Sequence, residues 1–303
     1  MYHFIRDPSE LKKLNLKGIS KEKFLKQLSF LKKNYEIISY DDLDYILSKK
    51  KNKKKYALLT FDDGYLEHHN FILPELVSAN LIGVFSVPLI NFELKNNLLD
   101  INKIQILSNT LNLQDKIIKK INFYLEKINV DLSKLKYDFY VQGRLDDKKT
   151  NFIKKTLQLG FKIDKIKISD LIFDDFYKSK LKKYYEKLYF KQKHLDDFKR
   201  NDMTFCAHGV THNKFTLLNQ KDLSFELVKS KNLLKKFNNH DKYGVVYPHG
   251  LNNTEVRSNV AKNGYYYGFT GGQSIINNIN KINKLNIFRV DTVDFDLLKN
   301  VSQ

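Results

Sequence analysis

The strongest constraint on the fold is an alternation. Short β-prone runs, "YHFI", "YEIIS", "KYALLTF" and "GVFSVP", are separated by amphipathic stretches such as "SKEKFLKQLSFLKKN", "YDDLDYILSKKK" and "HHNFILPELVSANL". Strands joined through helices cannot pair as hairpins, so the pattern calls for a parallel sheet covered by helices. In the first long helix Ser20 stands as N-cap, with Phe24, Leu25, Leu28 and Leu31 on one face. The alternation resumes near residue 200 with "MTFCAHG", a helix at "NQKDLSFELVKSKNLLKKF", then "YGVVYPHG", a helix "NTEVRSNVAKNG", a strand "YYYGFTG" and finally "IFRVDT". From about 96 to about 200 the rhythm changes. "IQILSNTLNLQDKIIKKINFYLEKI", "DKKTNFIKKTLQLGF" and "SKLKKYYEKLYFKQKHLDDFKRN" read as helices, and no Pro/Gly/Ser linker marks their borders. They are expected to form a helical insertion within one α/β domain spanning 1–303. In parallel α/β folds functional groups collect at the carboxyl ends of strands.

Composition narrows the function. Hydrophobic residues make up 42% of the 303, enough for a large core, and the net charge is +19. Such a charge raises nucleic acid as a partner. The lysines, however, are spread along the whole chain, and the arginines are only Arg6, Arg144, Arg200, Arg257 and Arg289. No recognised nucleic-acid motif accompanies them, so the charge reads as solvated surface and no nucleic-acid partner is expected. Cys206 is the single cysteine, which excludes an intrachain disulfide and a cysteine-based zinc knuckle. "MYHFIRDPSELKKL" has no signal-peptide core, and no segment reaches membrane-spanning length. A cytoplasmic protein is the resulting expectation.

The chemistry lies in three short motifs. "LLTFDDGYLEHH" ends a β-prone run in two adjacent carboxylates, Asp62 and Asp63, followed by Gly64. Asp-Asp-Gly is ordinary turn chemistry, but a cation at the strand end also accounts for two neighbouring charges. "CAHGVTH" places His208 and His212 directly after a strand, four residues apart, able to meet one metal ion. A carboxylate from another strand end would complete a two-His-one-Asp site with open coordination positions.

"TFDDG", "HGVTH" and "YPHG", in this order, resemble the polysaccharide deacetylase family, the NodB-homology or carbohydrate esterase group. The likeness extends to "YHFI", "YEIIS", "NVAKNGYYYGFT" and "FRVDT". Within the insertion, "LLDINKIQIL" and "GRLDDKKTNFIKKTLQ" resemble a branch associated with surface-glycan synthesis. The resemblance implies a distorted (β/α)7 barrel related to the TIM barrel. It implies a metal-dependent hydrolase that removes an N-acetyl group from a sugar. Asp63, His208 and His212 would bind a divalent metal, Zn2+ by default and Co2+ or Ni2+ as options. Asp62 would be the base that activates water, and the His249 N–H of "YPHG" would help hold the oxyanion. The substrate would be an N-acetylated sugar, a nucleotide-sugar or a lipid-linked glycan precursor.

Two positions depart from the family pattern. Many members carry Arg two residues before the proline of the third motif, where this chain has Val246. Many carry a late histidine as general acid, where this chain reads "NIFRVDT" with Arg289. His249 then becomes the first candidate proton donor, and Arg289 a candidate to hold Asp62 or a substrate carboxylate. His3, Tyr247, Pro248 and Gly250 are candidate substrate-binding residues. His68 and His69 read as a solvated helix start, and His194 and His240 as surface residues. Tyr265, Tyr266 and Tyr267 read as strand packing ahead of a sugar platform. Alternative functions are removal of a formyl or O-acetyl group at the same site, or a catalytically inactive glycan-binding homologue. The insertion is expected to cap one mouth of the barrel and set specificity.

Overall fold

The computed structural model describes residues 1–49, 54–93, 97–134, 146–272 and 282–301. The end of "YDDLDYILSKKK", Arg144 and the start of "GRLDDKKTNFIKKTLQ" lie outside the described residues. The alternating pattern produces one parallel sheet. Its strands are β1 Thr60–Asp62, β2 Val84–Val87, β3 Thr204–Ala207, β4 Gly244–Val246, β5 Tyr267–Gly272 and β6 Ile287–Val290. They are hydrogen-bonded in sequential order, β6-β5-β4-β3-β2-β1. The sheet curls into the distorted half-barrel expected of the NodB-like fold. β1, β2, β3 and β4 are buried throughout, as strands covered on both faces should be. Phe61 stacks on Phe85 at 5.0 Å between ring centres, and Phe198 meets Phe85 edge-on at 4.6 Å.

The first run, "YHFI", does not become a full strand. It forms isolated bridges, Tyr2 with Phe61 and Ile5 with Ile19. Arg6-Asp7-Pro8 follows at once, and Pro8 opens a helix, Pro8–Lys13, which leaves no length for a strand. These few residues still occupy the seam of the sheet. Tyr2 N–H donates to Thr60 O at 2.8 Å and Asp62 N–H to Tyr2 O at 2.9 Å. On the other side the Met1 amine donates to Val290 O at 2.6 Å. Residues 1 and 2 thereby join the β1 edge to the β6 edge, standing where a seventh strand would.

Other expectations shift in instructive ways. Ser20 caps helix Lys21–Asn34 by accepting from Lys23 N–H, and Phe24, Leu28 and Leu31 are buried. Leu25 is 40% exposed, because the helical period puts Gln27 on the buried face instead. "KYALLTF" splits. Tyr56–Ala57 pairs with Glu36–Ile37 in a separate two-stranded sheet, and only Thr60–Asp62 joins the main one.

By contact density the chain divides into two compact units: Met1–Arg6, Ile19–Leu94 and Leu188–Gln303 form the first, Asp7–Gly18 and Lys95–Lys187 the second. The first contains the barrel and every candidate site residue. The second is mainly helical, with Ile104, Leu107, Ile117, Ile121, Phe152, Ile153, Ile172 and Phe173 in its interior. It also holds an antiparallel hairpin, Lys162–Ile163 with Ile166–Lys167, turned through Asp164 and Lys165, both at positive φ. Among the described residues no helix is long and apolar enough to cross a membrane.

Candidate metal centre and active site

β1 ends in Asp62, and the chain then turns through Asp63 at φ 75° and Gly64 at φ 67°. A side chain at Gly64 would place its Cβ 2.7 Å from Val87, so glycine is required for both conformation and space. The left-handed turn sends the two carboxylates to different tasks.

Asp62 is fully paired inside the barrel. Its Oδ1 accepts from Arg289 NH1 at 2.9 Å and from Ser86 Oγ at 2.8 Å, and its Oδ2 accepts from Arg289 NH2 at 2.8 Å. Arg289 is itself fixed by Thr60 Oγ1 at 3.2 Å and the Thr270 carbonyl at 3.3 Å. Burial acts to raise the Asp62 pKa, but the Arg289 guanidinium outweighs it and holds the carboxyl below the usual range. Where the family pattern would put Arg at position 246, this chain supplies the guanidinium from β6. His3 Nε2 lies 3.8 Å from Asp62 Oδ2, with its side chain 39% exposed.

Asp63 points the other way. Its Oδ2 accepts from Tyr65 OH at 2.8 Å, and its backbone carbonyl accepts from Asn91 Nδ2 at 2.7 Å. Its Oδ1 lies 3.2 Å from His208 Nε2 and 3.3 Å from His212 Nε2, yet makes no hydrogen bond. One ligand atom from each of Asp63, His208 and His212 falls within 4.8 Å of the others, and all three residues are buried. His208 Nδ1 donates to the Val246 carbonyl at 2.8 Å, which turns Nε2 towards Asp63. A buried carboxylate oxygen without a hydrogen bond, facing imidazole nitrogens, is the donor set of a divalent cation, so these residues fit a metal. Burial also opposes ionisation of Asp63, and His212 and His208 hold its pKa well below normal.

The third motif forms a tight turn after β4. His249 sits at φ 59° and Gly250 at φ 67°; a Cβ on Gly250 would meet the Gly271 backbone at 2.8 Å. The His249 ring packs on His212 at 4.9 Å. Burial, followed by the neighbouring His212, lowers its pKa to about 2, so the ring is neutral. Pro248 is buried in this turn. Tyr247 is wholly buried and its hydroxyl donates to the Leu285 carbonyl at 2.7 Å, so that side chain faces the core and not a substrate.

The remaining histidines differ from a surface reading. His68 is completely buried, and Nε2 donates to the His3 carbonyl at 2.9 Å. His69 stacks on His194 at 4.1 Å and pairs with Asp197 at 2.8 Å, and His240 stacks on Tyr40 at 4.9 Å. Tyr265 and Tyr267 are buried packing residues, whereas Tyr266 is 41% exposed. Ser86, Asn91, Tyr65 and Glu226 support the site but carry no motif. The lone serine inside the apolar "GVFSVP" was the readable trace of Ser86, which pairs in register with Asp62.

With this geometry established, known proteins similar to the chain can be set beside it. A family described as polysaccharide deacetylase matches residues 133–268. Over that span the chain is similar to the polysaccharide deacetylases. That match includes His208, His212 and the "YPHG" turn, whereas the Asp62–Asp63 pair precedes it and is brought to the same place by the fold. No curated protein matched in a sequence search. Among solved structures, the Streptococcus pyogenes deacetylase PplD in complex with acetate is similar over 100% of this chain and 95% of its own, with TM-score 0.56 and 16% identity. The de-N-acetylase from Aggregatibacter actinomycetemcomitans covers 99% and 97%, with TM-score 0.54 and 15% identity. IcaB from Ammonifex degensii covers 100% and 94%, with TM-score 0.59 and 12% identity. At these identities the structural likeness speaks for the fold.

Proposed function

We propose that this chain is a metal-dependent de-N-acetylase acting on an N-acetylated sugar of a glycan or glycan precursor, nucleotide- or lipid-linked. One observation carries the reading: a buried Asp63–His208–His212 donor set lies beside a second carboxylate, Asp62, that is held ionised by Arg289. Structural carboxylate pairs do not need both features. A divalent cation in the donor set, zinc by default, would acidify water and polarise the acyl carbonyl.

The chain's own residues supply the rest. Asp62 Oδ2 takes the proton of the attacking water, while Arg289 and Ser86 keep the carboxylate in place. The C–N bond then breaks, and the nitrogen leaves as an amine once it gains a proton. His249 is a poor donor, being buried, neutral and packed against a metal ligand. His3, the partly exposed imidazole 3.8 Å from Asp62, is better placed to protonate the nitrogen. In the turn at Pro248–Gly250, the His249 N–H would be the donor to the developing oxyanion. Acetate and a free amino sugar are the products.

The test pairs wild type with Asp62→Asn, purified without chelator, measuring bound metal and acetate released from N-acetylhexosamines and nucleotide-linked N-acetyl sugars. Metal near one per chain in both, with acetate from wild type only, is the expected result. Absence of metal in wild type after adding zinc would remove the basis of the reading.

A further inference from the structure

One buried ionisable group has no part in the chemistry above. Glu226 is 3% exposed, on the inner face of helix Gln220–Phe237. It points into the loop between the two histidine ligands. Its Oε2 accepts from the Val210 and Thr211 backbone N–H groups, the latter at 3.0 Å, and its Oε1 accepts from Thr211 Oγ at 2.5 Å. Thr211 Oγ in turn accepts from Asn213 Nδ2 at 2.7 Å. The opposite side of the loop is held by the backbone following β2. Leu89 N–H donates to the Gly209 carbonyl at 3.1 Å and Ile90 N–H to the Val210 carbonyl at 2.8 Å. The loop is left-handed at Gly209, φ 73°, and at His212, φ 60°. A Cβ on Gly209 would lie 2.7 Å from Glu226 Oε2, so the glycine makes room for the carboxylate. A non-glycine residue in the left-handed region is strained and persists only when its surroundings impose it.

We infer that Glu226 is a positioning residue for the metal centre: its carboxylate fixes the backbone between His208 and His212 so that both Nε2 atoms face Asp63. This rests on the metal-site reading proposed above. Three donors converge on this carboxylate, two N–H groups and one hydroxyl. An amide in its place can keep the two N–H bonds through its single oxygen, but its NH2 then faces Thr211 Oγ, whose hydroxyl proton loses its acceptor. The charge that strengthens all three bonds is also gone, so Glu226→Gln holds the loop less firmly. Glu226→Asp keeps both oxygens at a shorter reach.

The experiment measures zinc affinity by competition with a chromophoric chelator, and the visible spectrum of the cobalt form, for wild type, E226Q, E226D, T211A and the ligand variant H208A. Partners that orient metal ligands are worth about 10- to 100-fold in metal affinity. The expected result is E226Q weakened by about tenfold or more, with an altered cobalt spectrum, E226D between E226Q and wild type, and T211A weakened less. The apo melting temperatures of E226D and T211A are expected to stay near wild type. Wild-type affinity and spectrum in a folded E226Q would overturn the inference. If E226Q does not fold, wild-type affinity in both T211A and E226D would overturn it equally. A wild type that binds no metal, or an H208A that binds as well as wild type, would instead fail the underlying metal-site reading.

Discussion

At the scale of single residues, the site is a problem of two adjacent like charges solved by giving each its own cation. Asp62 receives a guanidinium, and Asp63 faces two imidazoles and the place proposed for a metal. The sequence displays both aspartates and both histidines, because strand ends followed by Gly or His are visible as motifs. For Arg289 it offers Asp62 or a substrate carboxylate as partner, and the choice of Asp62 stays hidden until β6 curls round to within reach of β1. Ser86 and Asn91 are equally hidden, since one polar residue in an apolar run reveals no partner. The bidentate geometry makes a specific prediction. Arg289→Lys retains charge but loses the fork that orients Asp62, and Lys is not equivalent at such a site. Misplacing a catalytic group by about 1 Å can cost about 100-fold, so kcat is expected to fall by about 10- to 100-fold with little change in KM. Arg289→Met removes the charge too; the Asp62 pKa then rises, and the acid limb of the pH–rate profile moves to higher pH. Steady-state kinetics across pH measure both effects, and an unchanged kcat in Arg289→Lys would deny Asp62 its role.

At the scale of elements, helix existence was legible and helix continuity was not. "IQILSNTLNLQDKIIKKINFYLEKI" contains one apolar periodicity, yet it folds as Asp100–Ser108 and Gln114–Lys127 with a break at Asn109–Thr110. "SKLKKYYEKLYFKQKHLDDFKRN" breaks at Tyr189–Phe190, where Tyr65 bridges to Tyr189 and Phe190 N–H donates to the Gly64 carbonyl at 3.1 Å. A long-range contact overrides local propensity there. The helix after the first motif contains a π-helical stretch, His68–Ile72, a form that gathers at functional sites. It buries His68 under His3, and Glu67 accepts from Arg6 NH2 at 2.5 Å and from Ile5 N–H at 3.3 Å. Residues 3–6 are thus pinned by side chains of that helix. His68 must stay neutral: burial lowers its pKa from 6.5 to about 4. The unfolded chain binds that proton near pH 6.5 and the folded chain only near 4, so this contribution is whole above pH 6.5 and is lost as pH falls towards 4. The slope is at most about 1.4 kcal/mol per pH unit for one group. Denaturation at a series of pH values should therefore show a shallower acid decline in His68→Phe than in wild type. Parallel declines would mean that His68 titrates alike in both states.

At the scale of the whole molecule, the proposed metal ligands arise from strand ends far apart in sequence, β1 for Asp63 and β3 for the histidines. A cation bound there ties those two strand ends of the barrel together, and it can bind only when the barrel is folded. Binding to the native state alone stabilises it by RT ln(1 + [L]/Kd), about 2.7 kcal/mol at a free concentration one hundred times Kd. A stabilisation of that size moves the melting temperature of a domain this large by roughly 5–10 °C. All three proposed ligands belong to one of the two compact units, and none to the helical unit of Asp7–Gly18 and Lys95–Lys187. The consequence can be read by calorimetry on chelator-treated protein with and without zinc. If the units melt separately, only one transition should move, and it should be the one that His212→Ala abolishes as a zinc response. If they melt together, the single transition should rise in wild type and stay fixed in His212→Ala. A zinc shift that survives His212→Ala would place the binding elsewhere in the chain. A melting curve that zinc leaves untouched in wild type would return Asp63 and its two histidines to the status of a buried hydrogen-bonding cluster.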